Sequence, residues 1–371
     1  MDNVRTGVEC SGNKYRQYAL VTDNTINATL YGALFYNNAG SDYNIIAGNF
    51  IKVDGLSSGV GIAVRESKNS VSGNYEVAWN HEIRVVDGTA GIELLNVASP
   101  QVRCNVIKLD EGDEQAISST GISVLGCSFA NITQNSVTGY TRSNTSRVGL
   151  SCQVSTSCQI GCNSVDSTGY GFHFGSSNLF TNFRGNKMKS HLEGLHLNST
   201  AVIDTQTHAG NQWLGNYSPW YGAVNMNAIF QSDVLKSLFL VDPSLGSTYN
   251  PTFPINLGPP PFPPPYVDNS GWFEPDLNMP TYSCPDSTTC YQSEYVGDEG
   301  SPSLLAMIAL DSLLSVDYIE ETQSIAQLML YERLMRDTGL TGSDIVFQNF
   351  LNNESVLFNL YQTKFEPSGV W

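Results

Sequence analysis

The sequence predicts an all-β fold, a parallel β-helix with three short strands per coil and about seven coils. Three observations predict it. A Gly-apolar-x-apolar motif recurs at Gly32, Gly61, Gly91, Gly121, Gly149, Gly171 and Gly194, 22 to 30 residues apart. A lone asparagine follows each glycine by 13 to 17 residues, at Asn49, Asn74, Asn105, Asn135, Asn163, Asn186 and Asn211. Between the two ladders lie short strand-like runs without helical periodicity. Two fixed points repeating in step mark a solenoid whose units bury their apolar faces only by stacking.

Each part of a coil has a physical reason. In Gly61-Ile62-Ala63-Val64 the first and third apolar residues point inward and the middle one outward, because a strand alternates its side chains. The glycine fits a tight corner where a β-carbon would clash or where φ is positive. A second apolar position follows (Val71, Val102, Ile132, Ile160, Phe183), then the asparagine, then a third strand containing Ile107, Val137, Val165 or Met188. The asparagine amide is expected to bond its counterpart one coil away while its backbone takes the left-handed conformation.

The repeats set the domain boundaries. Residues 1–30 read as an irregular N-terminal cap covering the open end of the stack. The coils occupy 31–241. A Pro-rich irregular linker spans 242–300 and contains Pro259 to Pro265, with Trp272 and Phe273 as candidate anchors. Residues 301–371 read as a helical region: Ser301-Pro302 supplies an N-cap and a first-turn proline, and Asp317 with Glu320 a capping box. The end at Pro367-Ser368-Gly369-Val370-Trp371 reads as a linker, so the chain is expected to be a segment of a larger protein.

Composition narrows the function classes. The chain has 371 residues with 18 Lys+Arg against 35 Asp+Glu, a formal charge of −17. Such a surface repels nucleic acid and anionic lipid, which excludes both as expected partners. No run of eighteen apolar residues exists, so membrane insertion by a helix is not expected. Few charges and many Asn, Ser, Thr, Gly and Tyr residues suit an extracellular, cell-surface protein. The eight cysteines agree with export, and none forms a CxxC pair. Cys284 and Cys290 are expected to close a small disulfide loop. Cys127, Cys152, Cys158 and Cys162 lie on adjacent coils, with Cys152 an inward core position.

The ladders resemble the right-handed parallel β-helix superfamily over about residues 31–215. That group includes pectate lyases, alginate-type lyases and repeat-bearing surface proteins, and the resemblance implies a right-handed coil. The stretch Gly194-Leu195-His196-Leu197-Asn198-Ser199-Thr200, then Gly210-Asn211-Gln212-Trp213, the Pro-rich Trp-Phe segment, the Cys pair and the helical tail resemble secreted surface proteins of Bacteroidota, often exported by type IX secretion. That resemblance implies a bacterial surface location. Lyases of the superfamily need a cation or basic group against a substrate carboxylate, and a side chain that takes a proton.

Two candidate sites follow. The outward column Ala63, Glu93, Ser123, Ser151, His173, His196 puts Ser151, His173 and His196 on consecutive coils, with Arg184, Lys187, Lys189 and His191 close in sequence. The second is Asp110, Glu111, Asp113 and Glu114, whose carboxylates around Gly112 are candidate calcium ligands, although the spacing is not that of an EF-hand. Tyr170, Trp213, Tyr217, Trp220 and Tyr221 are core fillers or sugar-stacking rings. The expected function is a non-enzymatic structural or adhesive segment of a large surface or filament protein, partnered by other copies or segments. The alternatives are a polysaccharide lyase or glycoside hydrolase acting on acidic glycans, and a carbohydrate-binding module.

Overall fold

The computed structural model describes residues 4–11, 19–36, 44–54, 58–66, 75–110, 118–140, 146–198, 200–215, 217, 221–226, 235–246, 248, 254–256, 272–277 and 281–284. They form a nearly all-β, parallel solenoid of about six turns. The helical region expected at 301–371, the Pro259–Pro265 run and Trp220 lie outside the described residues.

Three strand columns build the solenoid. The first sheet stacks Val60–Arg65, Ala90–Leu95, Ser119–Leu125, Arg147–Gln153, Tyr170–Gly175, Glu193–Leu197 and Tyr221–Asn225 in parallel register. The second stacks Tyr75–Ala78, Gln101–Arg103, Asn131–Thr133, Gln159–Gly161 and Asn182–Arg184. The third stacks Phe50–Asp54, Glu82–Val86, Val106–Asp110, Ser136–Gly139, Ser164–Asp166, Lys187–Lys189 and Gln212–Leu214. Ile62, Ile92, Ile122, Leu150, Phe172, Leu195 and Ala223 lie one over another and are sealed from solvent. Stacking like on like gives the coils one continuous core. Burying each such side chain contributes on the order of 1.5–3 kcal/mol.

The glycine ladder is explained by close approach, not by positive φ. A β-carbon on Gly121 would sit 2.5 Å from the carbonyl oxygen of Gly149 and 2.4 Å from Val137 Cγ1. The same contact, at 2.5–2.7 Å, recurs for Gly7, Gly32, Gly61, Gly91, Gly149, Gly171 and Gly194, each against the glycine of the next coil. The ladder therefore reaches back to Gly7 and forward to Gly222. In consequence the region expected to be an irregular cap contains strands: Val4–Ser11 pairs with Thr25–Tyr36, and Ala19–Thr22 pairs with Asn44–Ala47.

The asparagine ladder is a buried hydrogen-bond rail. Asn135 donates its backbone N–H and its side-chain amide to Asn163 Oδ1, both at 3.0 Å, and its amide also reaches the Val102 carbonyl at 2.9 Å. The double donation repeats from Asn24 to Asn49, Asn80, Asn105, Asn135, Asn163, Asn186 and Asn211. Two expectations are corrected. The third rung is Asn80, not Asn74, which lies outside the described residues; the second-sheet inward position is correspondingly Val77 rather than Val71. The left-handed residue is the one before the asparagine: Asp23, Gly48, Trp79, Cys104, Gln134, Cys162, Gly185 and Gly210 all have positive φ.

Towards the later coils the core turns aromatic. Phe183 meets Phe172 and Phe174 edge-on, Phe239 packs on Phe183, and Phe273 stacks on Phe239 with centroids 4.8 Å apart. Trp272 is buried in the same cluster, so Trp272 and Phe273 do anchor the segment that carries them.

Candidate functional site

The outward column forms as the repeat predicts. Ala63, Glu93, Ser123, Ser151, His173 and His196 are in register on successive strands of the first sheet. Ser151 Oγ lies 3.4 Å from His173 Nδ1 and accepts a hydrogen bond from Gln153 Nε2 at 3.1 Å. The His173 and His196 rings stand 5.3 Å apart. Nδ1 of His196 lies 2.5 Å from Glu193 Oε2. The Tyr170 ring lies over both imidazoles, 6.1 Å from His173 and 4.8 Å from His196.

These groups form a chain, serine to histidine to histidine to carboxylate. Burial first, and then the neighbouring His196, push His173 down to about 4, so its ring is neutral near pH 7. Ser151 and His196 are only 4% and 8% exposed, which leaves His173, Tyr170 and Glu193 as the parts partly open to solvent. The arrangement suits holding a proton along a stacked face. The hydroxyl that would attack a substrate is sealed beneath its neighbours, which does not suit nucleophilic chemistry.

Glu193 and Tyr170 are the members that sequence reasoning did not place here. Strict alternation puts Glu193 and His196, three residues apart, on opposite faces of the strand. The register steps past Gly171 and Gly194, pairing Tyr170 with Glu193 and Phe172 with Leu195, and this break in alternation brings both outward. The recurring glycine was the available signal for that break.

The basic groups expected beside the column are elsewhere. His191 points inward, is fully buried, and accepts the Lys189 N–H at Nε2 (3.0 Å). Burial pushes it also down to about 4. Lys187 and Lys189 lie on the third sheet, where Lys189 pairs with Asp166 at 3.2 Å, and Arg184 lies on the second sheet over the Tyr282 ring. Strand-to-strand turns separate these residues around the coil although they are close in sequence.

Of the acidic candidates, Asp110 is ion-paired with Arg84; Glu111, Asp113 and Glu114 lie outside the described residues. Among the described residues, no cluster of three or more His, Cys, Asp or Glu side chains is arranged to hold a metal. Trp213 and Tyr217 are buried fillers: the Trp213 indole donates to the Gly222 carbonyl at 2.8 Å and the Tyr217 hydroxyl to the Met188 carbonyl at 2.8 Å.

The disulfide expectation is corrected. Cys284 is bonded to Cys162, 122 residues away, and not to Cys290, which lies outside the described residues. The left-handed backbone at Cys162 belongs to the asparagine corner, and the segment Thr281 to Cys284 runs alongside it, held by the Tyr282 N–H donating to the His208 carbonyl at 2.8 Å. Cys127, Cys152 and Cys158 are free and buried, and burial pushes the Cys127 thiol up to about 12. These are core residues.

No protein-family profile, curated protein or solved structure matches the chain.

Proposed function

We propose that the solenoid is a rigid, non-enzymatic structural or adhesive segment of a larger extracellular surface or filament protein, partnered by other copies or segments of that protein. One observation carries this reading: among the described residues, outward charged side chains pair between neighbouring coils instead of converging on a cleft. Arg65 pairs with Glu93, Glu76 with Arg103, Glu82 with Lys108 (2.6 Å), Arg84 with Asp110, and Asp166 with Lys189. Each pair joins neighbouring coils. Exposed pairs are individually worth only about 0–1 kcal/mol, and four of these five brace the same two coils, in a stack zipped along its length by the asparagine rail.

The Cys162–Cys284 bond supports export, since disulfides persist in oxidising compartments. A bacterial surface location, reached by a route such as the type IX export of the Bacteroidota proteins the sequence resembles, is part of the same proposal.

The test is turnover. The purified chain is incubated with a panel of uronate and neutral polysaccharides while reducing ends and unsaturated uronate products are followed. The expected result is no cleavage, by the wild type or by a His173→Ala/His196→Ala variant. Cleavage by the wild type that the double variant loses would overturn the scaffold reading in favour of a lyase or hydrolase.

A further inference from the structure

The corner between the first and second sheets carries bulky apolar residues where the backbone least favours them. Phe129, Val154 and Phe180 have φ of 54°, 51° and 61° and are 62%, 58% and 72% exposed. Aromatic and β-branched side chains are rare in the left-handed region, and exposure gains them no core contacts. Neither folding nor packing accounts for them.

They are spaced by the solenoid. Phe129, Ser157 and Phe180 hold equivalent positions on three successive coils: the Phe129 N–H donates to the Thr156 carbonyl (2.9 Å), and the Ser157 N–H to the Leu179 carbonyl (2.8 Å). Two coil steps of about 4.8 Å put the two phenylalanine positions about 9.6 Å apart, roughly the length of one disaccharide. Two residues further along each coil, at the start of the second sheet, runs an outward column of amides, Gln101, Asn131, Gln159 and Asn182, in strict register. Gln159 is exposed and the other three are half-buried; Asn131 Nδ2 donates to Gln101 Oε1 at 2.7 Å. Between Phe129 and Phe180 neither column contains a charged side chain. The neighbouring charged groups are Arg184, two residues beyond Asn182 on the same strand, and Asp204, one coil beyond, whose carboxylate accepts the Phe180 N–H.

From this geometry we infer that the strip is a binding surface for a neutral polysaccharide with an extended, β-1,4-type backbone. The apolar faces of alternate sugar rings sit on Phe129 and Phe180, and their hydroxyls bond the amide column. Rings spaced along one corner of a straight solenoid match a straight polymer and cost little ordering on binding. The two columns carry no charge of their own, and the net −17 of the chain disfavours an anionic polymer by long-range repulsion while leaving a neutral one unaffected. The inference rests on the adhesive reading above and names what is adhered to.

The test is affinity electrophoresis and calorimetry of the full chain against soluble β-1,4-xylan and hydroxyethyl cellulose, with polygalacturonate as the anionic control. The wild type is expected to be retarded by at least one neutral polymer and not by polygalacturonate. Phe129→Asn/Phe180→Asn is expected to bind at least about tenfold more weakly while melting at the same or a higher temperature, because asparagine accepts positive φ. A Gln159→Ala variant should weaken binding without changing the melting temperature.

Binding to neither neutral polymer, or undiminished binding by the double phenylalanine variant, would overturn the inference. So would preferential binding of polygalacturonate. Concentration-dependent self-association that the double variant abolishes would assign the strip to a second copy of the chain instead. Cleavage of a bound polymer would sink the scaffold reading while leaving this surface intact; absence of binding without cleavage would do the reverse.

Discussion

Two corners of the same coil solve one backbone problem in opposite ways. At the corner before the third sheet, a left-handed residue is followed on every described coil by an asparagine whose amide joins the rail, buried on all but the first, exposed Asn24. The left-handed residue itself varies freely, from Asp23 and Trp79 to Cys162 and Gly210. At the corner before the second sheet, Ser99, Phe129, Ser157, Phe180 and Asp204 are left-handed and are followed by Pro100, Ala130, Cys158, Thr181 and Thr205, not by one residue type throughout. Backbone-to-backbone bonds between coils satisfy the left-handed N–H at both corners, Ser99, Phe129 and Ser157 at this one and Trp79, Cys104, Gln134 and Cys162 at the other. The residue after it at the asparagine corner, by contrast, needs the asparagine side chain of the next coil. Identity is therefore fixed where a side chain must complete backbone hydrogen bonding in the interior. It is free where the backbone completes itself, and surface function can occupy the free position.

The sharpest way to break this comparison is at the rail. Asn135→Ala removes the acceptor of the Asn105 N–H and amide, and the donor to the Val102 carbonyl and to Asn163. Each orphaned buried group costs about 1–3 kcal/mol, so a total loss of about 4 kcal/mol or more is expected, read by denaturant unfolding. Replacing the left-handed neighbour, Gln134→Gly, should cost less than about 1 kcal/mol. A loss of similar size at both positions would end the claim that only the asparagine is constrained.

The glycine ladder comes next. Gly121→Ala drives a methyl group against the Gly149 carbonyl and Val137, and both belong to a packed stack that cannot shift on one side alone. A loss of about 3 kcal/mol is expected. A neutral result would mean that the coils part easily and that close approach does not set the ladder.

Much of this was legible in the sequence, and the exceptions have local causes. The glycines and six of the seven asparagines stood out because each makes the same contact on every coil. Asn80 was missed because His81 is one extra residue: Phe50, next after Asn49, pairs with Glu82, two after Asn80. The inserted His81 ring stacks on Phe50 at 4.8 Å and leaves the usual spacing from asparagine to inward residue one too long. The His173–His196 pair was legible because it follows simple alternation. Glu193 was not, because its outward direction depends on the break at Gly194. The Cys162–Cys284 pairing joins positions 122 residues apart, and no local pattern encodes it.

The mildest test separates an interior histidine from a surface one by acid. His191 in the core and His173 on the outer column are both held near 4, below the ordinary histidine value of about 6.5. A group whose folded value is depressed binds its proton more readily when unfolded. The stability it contributes is therefore full above about pH 6.5 and is lost as pH falls towards 4. At pH 5 each histidine is expected to have cost about 2 kcal/mol relative to pH 7, somewhat less for His173, which is partly open to water. Their surroundings differ: Asp166 acts to raise His191, whereas His196 lowers His173 further. Urea unfolding at pH 7 and pH 5 should show the loss roughly halved in His191→Gln, reduced less in His173→Gln, and largely abolished in the double variant. An undiminished loss in all three would place the acid sensitivity on carboxylates and remove both rings from the account. A loss that responds to His173→Gln alone would mean that His191 binds its proton about equally well folded and unfolded, and would remove it from the account.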